Sequence, residues 1–274
     1  MLRILFKSGL YLIALGAIVL LLAWFRQAAS QQVPAHYALG QAAALGYASR
    51  TAEPSLAEEL LPGRQGVVNG HNAQGEKVGG YASADHALHA CLWENGKRQD
   101  LGALGGKWSI AYHINAKGAV CGDAMTSKHR IHAFVWQQGH MLDLGTLGGI
   151  NSHAYCINDM GQVVGEADTE DGTSHAFLYT GGRMQDLGTL GGASSVAYGI
   201  NNRGQVVGYA EDAIHSGSAA FLWQDGRMHD LNGLLRSHSD WKLVEGRQVN
   251  EQGEIQAVGE CNRELRAFEM IPNL

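Results

Sequence analysis

Three words that recur at a fixed step predict an all-β repeat fold. The segment DLGTLGG stands at Asp143 to Gly149 and again, unchanged, at Asp186 to Gly192, with a near copy, DLGALGG, at Asp100 to Gly106. An Asn followed three residues later by Gly occurs at Asn72, Asn115, Asn158 and Asn201, each 43 residues after the last, and a looser version starts at Asn250. HACLW (from His89), HAFVW (His132), HAFLY (His175), AAFLW (Ala219) and RAFEM (Arg266) follow in turn. A period of this size marks one supersecondary unit copied several times. Within a unit, apolar residues alternate or run in short blocks that Gly or Asn interrupts, as strands require. Asn95-Gly96, Gln138-Gly139, Gly181-Gly182 and Asp225-Gly226 sit where a tight hairpin needs positive φ. Four antiparallel strands per unit match the blade of a β-propeller. A β-solenoid is the rival architecture, but its coils are shorter and lack a hairpin signal at every strand junction. The sequence therefore predicts a five-bladed β-propeller of four-stranded antiparallel blades.

The elements follow in chain order. Ser8 to Phe25 carries no charge, with Arg3 and Lys7 before it and Arg26 after it. Residues 1–30 are thus expected to form a hydrophobic helix that anchors the chain in a membrane, or else a cleavable signal peptide ending near Ala28-Ala29-Ser30. The basic residues upstream favour a cytoplasmic N-terminus and an exported remainder. The rest, 31–274, reads as one domain with repeats at about 62–106, 107–149, 150–192, 193–236 and 237–274. The last copy ends after its third strand. HYALG, at His36 to Gly40, resembles a fourth strand, and it is predicted to pair with Arg266 to Ile271 and close the ring.

Together, the HAF words followed by LW, the DLGTLGG segments and INxxGQVVG resemble the HAF-repeat family of predicted extracellular bacterial proteins, over roughly Gly66 to Phe268. The resemblance implies export and a repeat fold, and no activity. The chain departs from the pattern at Cys91, Tyr179, Ala219 and Arg266.

Candidate site residues fall into three groups. The recurring His89, His132 and His175 are spread one per blade, which argues against a shared metal. A two-residue hairpin would set Phe134 opposite Asp143 and His132 diagonal to that Asp, so His89 with Asp100, His132 with Asp143 and His175 with Asp186 are expected as structural pairs. A bulged turn would shift that register. The second group lies in acidic loops of variable length after the second strands: Asp123; Asp168, Glu170 and Asp171; Glu211 and Asp212. Variation on one face suits a binding surface. DTEDG at Asp168 to Gly172 lacks the ordered spacing of a calcium loop. The third group lies on or beside the innermost strands. His113 and Cys156 follow a shared Ala-Tyr and could be neighbours, an arrangement that can activate a thiol; Glu245 is the carboxylate expected there. Trp108 and Trp241 do not recur in every unit and are candidates for an exposed aromatic platform.

Composition excludes some classes. With 26 acidic against 20 basic residues and no basic patch interleaved with aromatics, nucleic acid is not an expected partner. The LGG segments open into no helix, so they are not read as phosphate cradles; no cofactor or metal is expected. Cys91, Cys121, Cys156 and Cys261 allow three pairings, and burial as free thiols is the favoured reading. The leading function is an exported, non-enzymatic binding or protein-interaction module whose variable face meets a carbohydrate, a peptide or an envelope protein. The alternatives are a glycoside hydrolase-like enzyme, which would need two carboxyls flanking a sugar bond, and a structural envelope scaffold.

Overall fold

The computed structural model describes residues 37–41, 66–82, 87–213, 217–235 and 239–272. The hydrophobic segment of residues 1–30, and the helix expected there, lie outside them. Among the described residues no helix is long and apolar enough to cross a membrane.

Five four-stranded antiparallel sheets follow one another along the chain. Blade 1 holds β2 (Gly66–His71), β3 (Lys77–Ala82), β4 (Leu88–Glu94) and β5 (Lys97–Gly102); blade 2 holds β6 (Gly105–Ile114), β7 (Val120–Thr126), β8 (Ile131–Gln137) and β9 (His140–Asp143). Blade 3 holds β10 (Gly148–Ile157), β11 (Val163–Thr169), β12 (Ser174–Thr180) and β13 (Arg183–Asp186). Blade 4 holds β14 (Gly191–Ile200), β15 (Val206–Asp212), β16 (Gly217–Gln224) and β17 (Arg227–Asp230). Blade 5 has β18 (Lys242–Val249), β19 (Ile255–Cys261) and β20 (Glu264–Pro272) from the C-terminal end of the chain. Its fourth strand is β1 (Tyr37–Gln41), which pairs with β20 from Tyr37 opposite Pro272 to Gln41 opposite Phe268. The predicted partnership of the two chain ends is present, one residue displaced from the expected start.

Packing between blades makes the core. Val78, Ala90 and Leu92 on the forward face of blade 1 meet Ile114, Val120 and Phe134 on the rear face of blade 2. Cys121 and Ala133 of blade 2 meet Ile157, Val163 and Phe177 of blade 3, and Val164 and Leu178 of blade 3 meet Ile200, Val206 and Phe221 of blade 4. Phe134, Phe177 and Phe221 are wholly buried, and each such ring contributes about 1.5–3 kcal/mol by leaving water.

Two polar rivets repeat at the seams. The recurring Asn accepts N–H bonds from its own turn and donates Nδ2 to the main-chain oxygen of the equivalent Asn in the next blade: Asn72 to Asn115 (3.1 Å), Asn115 to Asn158 (2.8 Å), Asn158 to Asn201 (2.9 Å) and Asn201 to Asn250 (2.8 Å). Ser109, Ser152 and Ser195 are fully buried. Each Oγ accepts from a main-chain N–H of the preceding blade (Ala90, Ala133, Ala176) and donates to a carbonyl before the connecting loop (Gly102, Gly145, Gly188).

The series stops at blade 5. Among the described residues Asn250 Nδ2 donates to Glu254 rather than to Asn72, and no packing of β18–β20 on β2 matches that at the four internal seams. Among the described residues the ring closure expected from the sequence is thus not confirmed: no fifth seam of the repeated kind is seen. The physical reason is composition. Where blades 1 to 4 carry Val78 and Leu92, Cys121 and Val135, Val164 and Leu178, and Val207 and Leu222 as cross-strand pairs, blade 5 carries Gln256 and Glu269.

Candidate functional site

The first hairpin of every blade contains a register slip, and the slips build the site. Ala111 faces Gly122 and His113 faces Cys121, leaving Tyr112 as the extra residue of a β-bulge. The same slip singles out Asn69, Tyr155, Tyr198 and Arg247. A bulge re-aims one side chain out of the ladder. Close strand approach makes it possible: a Cβ on Gly122, Gly165 or Gly208 would stand 2.0, 1.8 or 1.9 Å from a carbonyl oxygen of the neighbouring inner strand. Glycine at these positions is a steric requirement.

The bulge residues form a row across the innermost strands. Ring centroids are 6.2 Å apart for Tyr112 and Tyr155 and 5.6 Å for Tyr155 and Tyr198, all tilted. Tyr209 continues the row 6.0 Å from Tyr198, and the Arg247 guanidinium lies 5.3 Å from the Tyr198 centroid. At the first blade Asn69 Nδ2 donates to the Ala111 carbonyl (2.9 Å).

Carboxylates flank this row. Tyr112 donates its hydroxyl to Asp123 (3.4 Å), and Tyr155 donates to Glu166 (2.7 Å), which also accepts from Ser174 Oγ (2.9 Å). Glu245 pairs with Arg247 at 2.7 Å. Asp123, expected in a variable loop, instead lies on β7 and is 2% exposed. Its carboxylate meets His153 Nδ1 at 2.7 Å and accepts the Ala154 N–H at 3.1 Å. Burial pushes the Asp123 carboxyl up against the pull of these partners. Burial also works to lower His153, but Asp123, Glu166 and Asp168 outweigh it and hold the imidazole above its ordinary value. Tyr155, buried beside Glu166, is raised well above the phenol range.

His113 and Cys156 are brought together, with Sγ 3.9 Å from Nδ1. Burial opposes charge on both, yet their contact lowers the thiol and raises the imidazole. The Ile157 N–H approaches the same nitrogen at 3.4 Å, so thiol and amide compete for one lone pair. Cys121, buried opposite His113, is raised well above the thiol range by burial, and Cys91 is pushed up to about 12 by burial and Asp100. All four cysteines are free thiols.

The remaining candidates do not converge. His89, His132 and His175 each meet their Asp partner at 2.8–2.9 Å, with Phe134 opposite Asp143 as a two-residue hairpin requires. Asp168 accepts the Asn151 N–H (2.9 Å), and Glu211 accepts the Ala193 N–H (3.1 Å). The hydroxyls of Thr169 and Thr173 hold the exposed Asp171 carboxyl at about 2; Glu170 is exposed beside it, and Asp212 ends β15. Among the described residues no group of three or more His, Cys, Asp or Glu is arranged to hold a metal ion. Trp108 is half-buried. Trp241 is half-buried against Phe268, 5.3 Å between centroids, under the Arg266 guanidinium. Trp241 is thus engaged by Phe268 and Arg266.

The reading of the sequence did not single out Tyr112, Tyr155, Tyr198, Arg247, His153 or Glu166. The signal was the shared Ala-Tyr word itself: the residue two before the bulge position changes from Ile110 to His153, Val196 and Glu245, which marks a site that differs from blade to blade.

Residues 183–268 match a family described as a protein of unknown function (DUF3466). No curated protein matches the chain. Among solved structures, TolB from Acinetobacter baumannii is 12% identical with a TM-score of 0.42, over 76% of this chain and 52% of that one. An arginine-to-alanine triple mutant of AofleA from Arthrobotrys oligospora is 11% identical, TM-score 0.39, over 77% and 72%. Pyrococcus horikoshii acylaminoacyl peptidase is 15% identical, TM-score 0.37, over 68% and 30%. The chain thus spans about half the length of the TolB structure.

Proposed function

We propose that this chain is an exported, non-enzymatic binding module of the HAF-repeat kind, and that its ligand is a carbohydrate held along the bulge row. The observation that carries the reading is the placement of Tyr112, Tyr155, Tyr198 and Arg247 at equivalent bulges, flanked by Asp123, Glu166 and Glu245. Half-buried aromatic rings beside hydrogen-bonding carboxylates suit a ligand with apolar faces and hydroxyl edges. Hydrolysis is the weaker reading, because Asp123 is committed to His153 and Ala154, Glu166 to Tyr155 and Ser174, and Glu245 to Arg247. Export rests on the apolar segment and flanking charges of residues 1–30, and an N-terminal membrane anchor is part of the proposal. A glycan array probed with the chain and with a Tyr155→Ala, Tyr198→Ala variant tests it. The expected result is a defined set of bound saccharides that the variant binds at least about tenfold more weakly. An array on which the folded chain binds nothing overturns the carbohydrate reading.

A further inference from the structure

One position on the inner strands changes from blade to blade. It holds Gly70, His113, Cys156, Gly199 and Gln248 in turn, opposite Val78, Cys121, Val164, Val207 and Gln256 of the second strands. A side chain here points at the inner strand of the next blade: a Cβ on Gly70 would stand 2.7 Å from the Tyr112 carbonyl oxygen, and one on Gly199 would stand 2.9 Å from that of Arg247. Blades 1 and 4 pack with no side chain at this position. Packing alone therefore does not call for the imidazole and the thiol that blades 2 and 3 carry.

His113 and Cys156 meet across the seam between those two blades, with Sγ 3.9 Å from Nδ1, and both are half-buried. Burial opposes charge at both groups. Their contact outweighs it, helped at His113 by Asp159 and at the sulfur by the main-chain N–H groups of Ile157 and Ile200. The titratable groups facing the pair are Cys121 on β7 and Asp159 in the turn after β10; β14 brings Gly199 and Ile200. The other thiols lack such a setting. Cys91 and Cys121 are fully buried, and burial holds both above the ordinary thiol range. Cys261 is half-buried in a depression lined by Asp240, Lys242, Glu260 and Asn262, with no imidazole among them. The thiolate, not the thiol, attacks sulfur, so reactivity follows charged fraction and access.

We infer that Cys156, paired with His113, is the site at which this chain undergoes thiol–disulfide exchange with small-molecule disulfides. The Cys156 sulfur attacks one sulfur of R–S–S–R. A bond between Sγ and that sulfur forms as the reagent's own S–S bond breaks, and the departing R–S⁻ keeps the electron pair and takes the proton that His113 holds. Cys156 is oxidised to a mixed disulfide, and the other half of the reagent is reduced to a thiol.

Treatment of the folded full chain with hydroxyethyl disulfide, quenched with acid at intervals and read by peptide mass spectrometry, tests this. The adduct is expected on Cys156 at least about tenfold faster than on Cys91, Cys121 or Cys261, and the four rates converge in guanidinium. Cys156→Ser is expected to remove the fast phase. His113→Gln, which keeps a side-chain acceptor for the Ile157 N–H, is expected to slow the Cys156 adduct at least about tenfold at pH ~7 and to move its pH profile up toward that of an ordinary thiol, near ~8.5. Circular dichroism melts establish that each variant is folded, and the selectivity for Cys156 in the wild type stands or falls without any substitution. An adduct on Cys156 no faster than that on Cys261 overturns the inference. A rate and pH profile that folded His113→Gln leaves unchanged overturns it equally. Neither result depends on whether a saccharide binds the bulge row.

Discussion

At the scale of single residues, position matters more than identity. His132 and His153 both meet an aspartate through Nδ1, at 2.8 and 2.7 Å, yet Asp143 is 40% exposed and Asp123 only 3%. The exposed pair contributes little, since water screens it. The buried pair is coupled to proton binding. An imidazole raised in the folded state contributes stability that is fully present below its unfolded value of about 6.5 and is lost as pH rises through the folded value. His153→Gln is therefore expected to melt below the wild type by the widest margin near pH ~6, with the gap narrowing by pH ~9; paired melting curves across that range measure it, and a gap independent of pH contradicts the assignment. The structural His–Asp pairs were legible from residue spacing, because a two-residue hairpin fixes a diagonal contact. The Asp123–His153 pair was not: it joins side chains 30 positions apart across a seam, which no spacing within one unit announces.

At the scale of the repeated unit, the Asn turn does two jobs that a turn signal alone does not announce. Asn158 Oδ1 accepts from Met160 and Gln162 at 3.0 and 2.9 Å, while Nδ2 reaches the next blade. Replacing it removes the side-chain acceptor of the Met160 and Gln162 N–H groups and one of the two donors to the Asn201 carbonyl, which keeps the Gly204 N–H, at about 1–3 kcal/mol for a buried group left without a partner. Asn158→Ala is expected to lose roughly 2–4 kcal/mol in urea titration, and Asn250→Ala, exposed and at the end of the series, under about 1 kcal/mol. Equal losses at the two positions would remove the distinction between internal and terminal turns. Strand count, hairpin positions and period were readable because each rests on local chemistry: glycine at positive φ, alternation and repetition. The bulges were not, since an extra residue in an inner strand leaves the repeat length unchanged in every copy and so hides within the period.

For the whole molecule, the exchange of β1 into blade 5 decides how the outer edge of β20 is protected. Without β1 the outer edge of β20 presents unpaired main-chain groups, the kind of edge that recruits other strands. Deleting residues 37–41 is expected to lower the melting temperature by on the order of 10 °C and to promote aggregation on heating, checked by calorimetry and light scattering together; an unchanged transition would show that blade 5 stands without its fourth strand. Strand pairing at the ends was legible because a copy that stops one strand short leaves an evident deficit. What the sequence concealed was the state of the fifth seam, which depends on the polar exchange at Gln256 and Glu269 and becomes visible only when equivalent positions are set against one another.

The oldest strand of this domain to leave the ribosome is the last to find its place. β1 is made before any of the complete blades, yet its partner, residues 264–272, follows all of them, whereas blades 1 to 4 each draw all four strands from consecutive chain. Synthesis therefore acts as its own quality check: a message cut short before β20 yields a string of finished central sheets with an orphaned leading strand, a product that proteases recognise more readily than the mature domain.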